Sequence, residues 1–95
     1  MAQIAVTAIL MPKEGREEEL KHALQEVTVG SRNEDGNVQY DVHQSIEDIS
    51  FVIYEVWENY QAFETHMNSA HYDKYRNDIA DLISSREVYK MKKLD

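Results

Sequence analysis

The chain has 95 residues, one domain's worth, and a domain of this size removes only about 60–65% of its unfolded surface from water, so a lone copy is thinly cored. With 42% hydrophobic and 29% charged residues it has enough apolar surface to fold, and the absence of cysteine excludes a disulfide framework, a thiolate zinc site and a cysteine nucleophile. A formal net charge of −8 at pH 7 opposes binding to nucleic acid or to anionic lipid.

Gln3 to Met11 reads as a first strand, closed by Pro12, which cannot donate to a ladder. Its apolar run lacks a basic leader and a small-residue cleavage site and falls far short of the ~20 residues that span a bilayer, so a cytoplasmic protein with no membrane partner is expected. Glu14, Glu17, Glu18 and Glu19 then crowd the start of a helix, where negative charge suits the positive end of its dipole. Leu20, Ala23, Leu24 and Val27 form its apolar face, and Gly30 is expected to stop it.

Asp35-Gly36 signals a turn, after which Val38, Tyr40 and Val42 alternate with Gln39, Asp41 and His43 as a second strand. An acidic loop, Ser45 to Ile49, leads to a third strand, Phe51 to Glu58, expected to pair antiparallel with the second. Asn59 can cap a second helix that carries Phe63, His66, Met67 and Ala70, bends near Ser69 and continues through Tyr72, Tyr75, Ile79, Leu82 and Ile83. Glu87 to Lys93 completes the chain as a fourth strand, with Lys90, Lys92 and Lys93 read as a solvated tail.

The order is strand, helix, strand, strand, helix, strand, which predicts an α+β fold of the ferredoxin-like, split βαβ type, one domain over residues 1–95. Both side-chain parities are apolar in the first strand (Ile4, Val6, Ala8 and Leu10; Ala5, Ile9 and Met11) and in the third, so both sheet faces call for burial. Two helices cover one face; a homodimer through the other is expected.

Three stretches carry a family resemblance: Ser31-Arg32-x-Glu34-x-Gly36-Asn37-x-x-Tyr40-Asp41, Phe51-x-x-Tyr54-Glu55-x-Trp57, and Ala62-Phe63-x-x-His66 with His71-Tyr72. Together they resemble the antibiotic biosynthesis monooxygenase domain, and the resemblance spans nearly the whole chain. It implies a dimeric α+β barrel. It leaves the reaction open, because the family includes quinol and polyketide monooxygenases, heme-degrading enzymes and an isomerase that processes phosphorylated autoinducer-2. Heme-degrading members carry a pocket tryptophan and an iron-ligating histidine on the second helix; His66 and Arg76 stand at the corresponding positions here, and no asparagine occurs among Ile4, Ala5, Val6 and Thr7 of the first strand. The pattern is similar instead to the small quinol monooxygenases and the autoinducer-processing enzyme.

Within that frame His66, between Phe63 and Met67, is a candidate base: partial desolvation keeps an imidazole neutral and suited to taking a proton from a phenol or enol. From position alone a core histidine bonded to a backbone carbonyl is the favoured reading, and the resemblance brings the catalytic one level with it. His71 lies five residues on, about 140° around an unbroken helix, so the pair does not read as a metal site of the i, i+4 kind. In the first turn of a restarted helix, His71 and Tyr72 could instead serve a phenol or ligand anion. Tyr72 and Asn37 join His66 as candidate catalytic residues, although for Asn37 the favoured reading is that it holds its turn by an Asx bond.

Trp57 and Phe63 are candidate aromatic walls, Glu55 shares the parity of Trp57 and needs a partner inside, and Arg32 could reach an anionic group. Parity separates Trp57 from Tyr54 without saying which of them faces the helices. Gly15, Gly30 and Gly36 all lie at segment boundaries, so no glycine-rich loop is available for a nucleotide phosphate, and no cofactor is expected. The leading expectation is a cofactor-independent monooxygenase acting on a small aromatic hydroquinone or polyketide-like phenol. The rivals are an isomerase of a small phosphorylated sugar-like ketone and a noncatalytic dimer that binds a small molecule.

Overall fold

In the computed structural model, which describes residues 2–95, seven elements follow one another: β1 (Ile4–Pro12), α1 (Glu17–Arg32), β2 (Asn37–Gln44), β3 (Phe51–Trp57), α2 (Tyr60–Met67), α3 (Ala70–Ile79) and β4 (Ile83–Met91). The strands form one antiparallel sheet in the order β2-β3-β1-β4, the α+β ferredoxin-like arrangement expected from the element order. Both edges, β2 and β4, are outer strands, and the two apolar strands β1 and β3 lie side by side at the centre.

Period-two alternation divides the central strands, apart from Val56, which is buried on the face away from the helices. Val6, Ala8 and Leu10 of β1 and Phe51, Ile53 and Trp57 of β3 point to the helices and are buried with Leu20, Leu24 and Val27 of α1, Phe63 of α2 and Tyr75 and Ile79 of α3. Trp57 is therefore the helix-side residue and Tyr54 belongs to the opposite face, where it is 36% exposed beside Ala5, Thr7 and Ile9. Tyr89 and Met91 of β4 extend that uncovered apolar surface.

Four local expectations are corrected. Gly30 does not end α1, which runs on to Arg32; no positive φ is needed there, and the missing side chain instead makes room for His71, whose Cγ lies 2.7 Å from where a Cβ would stand. The bend near Ser69 is a full break: Asn68 closes α2, and the Ser69 side chain accepts from Tyr72 N to start α3. Leu82 and Ile83 are not helical, because the chain turns after Ile79 and Lys13 N donates to Leu82 O at 2.8 Å, drawing it onto β1. Accordingly β4 begins at Ile83 rather than at residue 87 and ends at Met91. Its side chains are nearly all exposed, so an edge strand gave no alternation to read.

The first strand also runs through Pro12, with a register shift against β4 between Met11 and Pro12 that accommodates the missing donor. A second shift, between Asn37 and Gln39, bulges β2 and leaves Val38 52% exposed while Tyr40 turns into the core.

Candidate functional site

The break between α2 and α3 positions the polar heart of the molecule. Two short helices meeting at Ser69 bring the rings of His66 and His71 to 5.8 Å between centroids, although an unbroken helix would hold them well apart in angle. Both reach the same carboxylate oxygen: His66 Nδ1 lies 2.6 Å and His71 Nε2 2.8 Å from Glu34 Oε2. Glu34 is carried in by the turn that follows α1, where Glu34 N donates to Ser31 O and Asn37 N to Glu34 O.

This network assigns the tautomer of His66. Glu34 accepts the Nδ1 proton, so in the neutral ring the lone pair sits on Nε2. His66 is 1% exposed, and Nε2 has no hydrogen-bond partner; its nearest carboxylate oxygen, Glu55 Oε1, is 3.8 Å away. Burial pushes the imidazole below its usual 6.5, and the Glu34 hydrogen bond opposes that push only in part. The Nε2 lone pair is thus buried with no protein group within hydrogen-bond distance.

Beneath His66 lies Trp57, with ring centroids 4.5 Å apart and planes inclined by 32°. Its Nε1–H donates to Glu55 Oε1 at 2.7 Å. That bond is the internal partner Glu55 requires, yet desolvation outweighs it and raises the Glu55 carboxyl to about 7. Tyr72 packs with its ring 5.0 Å from that of His66, and Tyr40 at 5.9 Å. Burial raises the phenols of Tyr40 and Tyr75, so both are hydroxyl donors at neutral pH.

A cleft of about 470 Å³ opens over this group between the sheet and α2–α3. Its floor includes Glu55, His66 and Tyr40, its apolar walls Phe63 and Met67, and its rim Arg76, Arg86 and Lys90. The volume is within the range of small-molecule sites.

Of the residues expected at a site, the fold brings His66, Tyr72, Phe63 and Glu55 to the cleft. Four others are placed elsewhere. Trp57 is fully buried and does not line the cleft; it packs against His66 and bonds Glu55 from behind. His71 also stands behind His66, wedged against Gly30 and bonded to Glu34. Asn37 does not face the cleft: its Nδ2 donates to Gln39 O at 3.1 Å and holds the β2 bulge. Arg32 is committed to Tyr40 O and to Asp41 Oδ1, tying the end of α1 to β2.

Glu34, Tyr40, Tyr75, Arg76, Arg86 and Lys90 enter the site without having been singled out for it. Arg86, Val88 and Lys90 stand at alternate positions of β4, a signal visible only once the strand is known to begin at Ile83. Nothing in the sequence marks Glu34 as the shared acceptor, because the contact spans 32 residues to His66 and 37 to His71. Glu34, His66 and His71 are also the group that could hold a metal ion, with ligand atoms all within 4.8 Å of one another; the two hydrogen bonds to Glu34 account for their convergence as it stands. No helix among the described residues is long and apolar enough to cross a membrane.

Comparison with known proteins agrees with this architecture. The family model described as antibiotic biosynthesis monooxygenase matches residues 3–78. The chain is 30% identical over 81 residues to "Putative monooxygenase Rv0793" of Mycobacterium tuberculosis, covering 85% of this chain and 80% of that protein. It is likewise 30% identical over 83 residues to "Putative monooxygenase YcnE" of Bacillus subtilis, covering 86% and 87%. The solved structure of the Mycobacterium tuberculosis protein superposes with a TM-score of 0.95 at 28% identity, over 99% of this chain and 97% of that one. That of PA3566 from Pseudomonas aeruginosa does so with a TM-score of 0.94 at 26% identity, over 100% and 97%.

Proposed function

Because the chain belongs to the antibiotic biosynthesis monooxygenase family, we propose that it oxidises a small aromatic hydroquinone or polyketide-like phenol with molecular oxygen, without a bound cofactor. The observation that carries this reading is His66: a buried imidazole whose Nδ1 is tied to Glu34 and whose Nε2 is left without a protein partner beside a cleft large enough for a small aromatic molecule.

In this reading Nε2 takes a phenolic proton and yields an electron-rich phenolate, which reduces oxygen directly. A ring carbon bonds to one oxygen atom; the O–O bond then breaks, and the second oxygen leaves as water with the hydrogen from that carbon and one further proton. The net conversion is hydroquinone plus oxygen to hydroxyquinone plus water, in which the ring loses four electrons and oxygen gains four. Glu34 stabilises the imidazolium that forms, as an orienting carboxylate does beside a general base. Tyr40 and Tyr72 offer hydroxyls around the oxygenated ring, and the apolar walls exclude water. Two copies joined through the open sheet face complete the proposed assembly.

Oxygen uptake on a panel of hydroquinones tests the proposal. His66→Ala is expected to lower the rate by about 10²–10⁴-fold, the range of a lost general base. Wild-type uptake no faster than autoxidation would sink it, and stabilisation by ligands with no turnover would identify a noncatalytic binder. A second reading is favoured by one contact, Arg86 Nη2 to Tyr72 Oη at 3.2 Å, which places a cation beside a phenol next to the base. It is isomerisation of a small phosphorylated ketone by proton shuttling between His66 and Tyr72, and it requires substrate protons to exchange into heavy water.

A further inference from the structure

The chain as a whole has 18 acidic residues to 10 Lys and Arg, yet the wall of the cleft reverses that balance: Arg76, Arg86 and Lys90 face a single carboxyl, Glu55. The three cations come from two elements, Arg76 from α3 and Arg86 and Lys90 from β4. None of them pairs with a carboxylate; the ion pairs of Lys and Arg among the described residues engage Arg16, Arg32 and Lys74 instead. Two of the three are turned over the cleft by what they touch. Arg86 donates to Tyr72 Oη, and Lys90 Nζ stands 5.9 Å from the centroid of the Phe63 ring. Glu55, His66 and Tyr40 are buried at the floor, whereas Arg76, Arg86 and Lys90 are exposed at the rim, so the cleft is polarised from a proton-accepting floor to a cationic mouth.

We propose that the cleft selects a substrate carrying a fixed negative charge, a carboxylate, sulfonate or phosphate on a small phenol or enol, with Arg76, Arg86 and Lys90 as its specificity determinants. The proposal rests on the cleft being the substrate site and holds for either reaction considered above. It also fixes the orientation of the substrate: the anionic group stays at the mouth with the cations, and the acidic hydroxyl is delivered to His66 at the floor. In a chain of net charge −8, which repels anions at long range, the local reversal is what admits one, because field lines concentrate in a cleft with low-dielectric walls. The expected ligand is therefore anionic at one end and flat and apolar in the middle, as the Phe63 and Met67 walls require.

Binding measured under argon, by quenching of the fluorescence of the lone tryptophan or by calorimetry, separates this proposal from turnover. The ligands are dihydroxybenzoate and dihydroxybenzamide, which have the same shape and differ in charge, with hydroquinone sulfonate and a hydroxyphenyl phosphate as further anions. The benzoate is expected to bind about tenfold more tightly than the amide, equivalent to about 1.4 kcal/mol. Arg76→Gln and Arg86→Gln are each expected to weaken the benzoate about three- to tenfold while moving the amide by less than about twofold, and added salt to erode the preference. The order among carboxylate, sulfonate and phosphate identifies the group preferred.

Equal affinity for benzoate and amide overturns the proposal, as does a preference that survives both substitutions in folded protein, checked by thermal melting. Anion-selective binding without oxygen uptake would leave this proposal standing and remove the monooxygenase reading; oxygen uptake on neutral hydroquinones with no charge preference would do the reverse.

Discussion

Glu55 and His66 are opposite cases of one effect, burial acting on an ionisable group. For Glu55 the neutral form is favoured and the carboxyl rises from 4.5 to about 7; for His66 the neutral form is again favoured, and the imidazole falls below its usual 6.5. Their consequences for stability run in opposite directions. A carboxyl whose folded value lies above its unfolded value stabilises fully below about 4.5 and loses that contribution as pH climbs to about 7. A histidine with a depressed value contributes above its unfolded 6.5 and loses the contribution as pH falls through the folded value. The test is therefore a difference between variant and wild type. Glu55→Gln keeps an acceptor for Trp57 Nε1 and abolishes one titration, so its stability relative to wild type should rise by on the order of 3 kcal/mol between pH 4.5 and pH 7.5, read from urea midpoints at successive pH. A difference that stays flat across that window would show that Glu55 ionises freely. The histidines themselves were legible as residues of interest, but the role of Glu34 as their shared acceptor was not, because the contact joins the turn after α1 to side chains 32 and 37 residues further along the chain.

At the scale of elements, close approach explains two of the three glycines. Gly30 admits the His71 ring between α1 and α3, and Gly36 admits the first turn of α2: a Cβ built at Gly36 falls on Ala62 Cβ. Neither has a positive φ, so the requirement is space rather than backbone freedom. Gly36→Ala should destabilise by about 1–3 kcal/mol, as overpacking does. A Gly36→Ala, Ala62→Gly double variant should recover much of the loss despite the helix cost of about 1 kcal/mol for the new glycine. Denaturant unfolding decides the point, and a double variant no more stable than the single one would show that the contact is not the cause. The turn composition at Asp35-Gly36 was readable in the sequence, and so was the Asn59 cap, whose Oδ1 accepts from Ala62 N. The start of β4 was not: Ser84, Ser85 and Arg86 are exposed at a sheet edge, and an edge strand that buries neither face carries no period-two pattern.

For the whole molecule, the decisive fact is the face that no helix covers. Ile9, Met11, Val52 and Tyr54 lie on it with Tyr89 and Met91, an apolar centre bordered by Asp41 and His43 of β2 and Glu87 of β4. If it pairs with a second copy, Ile9→Lys in the centre of β1 should convert a dimer to a monomer in sedimentation equilibrium and lower the melting temperature, since a lysine ammonium cannot be buried there unpaired. Wild-type protein that sediments as a monomer would refute the pairing.

The sequence by itself determined the order of strands and helical regions, though not the break that splits the second helix at Ser69, together with the ferredoxin-like class and the two-sided demand for burial of β1 and β3, because these follow from local periodicity, from turn residues and from the length of each apolar run. It also singled out His66 as a candidate, from an imidazole on an apolar helical face together with the family resemblance. Only the tertiary structure decided which side of β3 holds Trp57, that Asn37 and Arg32 serve the fold away from the cleft, that Glu34 joins two histidines on separate helices, and that three cations from α3 and β4 meet at one opening. Those outcomes depend on contacts between residues far apart in the chain, where side-chain direction and desolvation are set by packing.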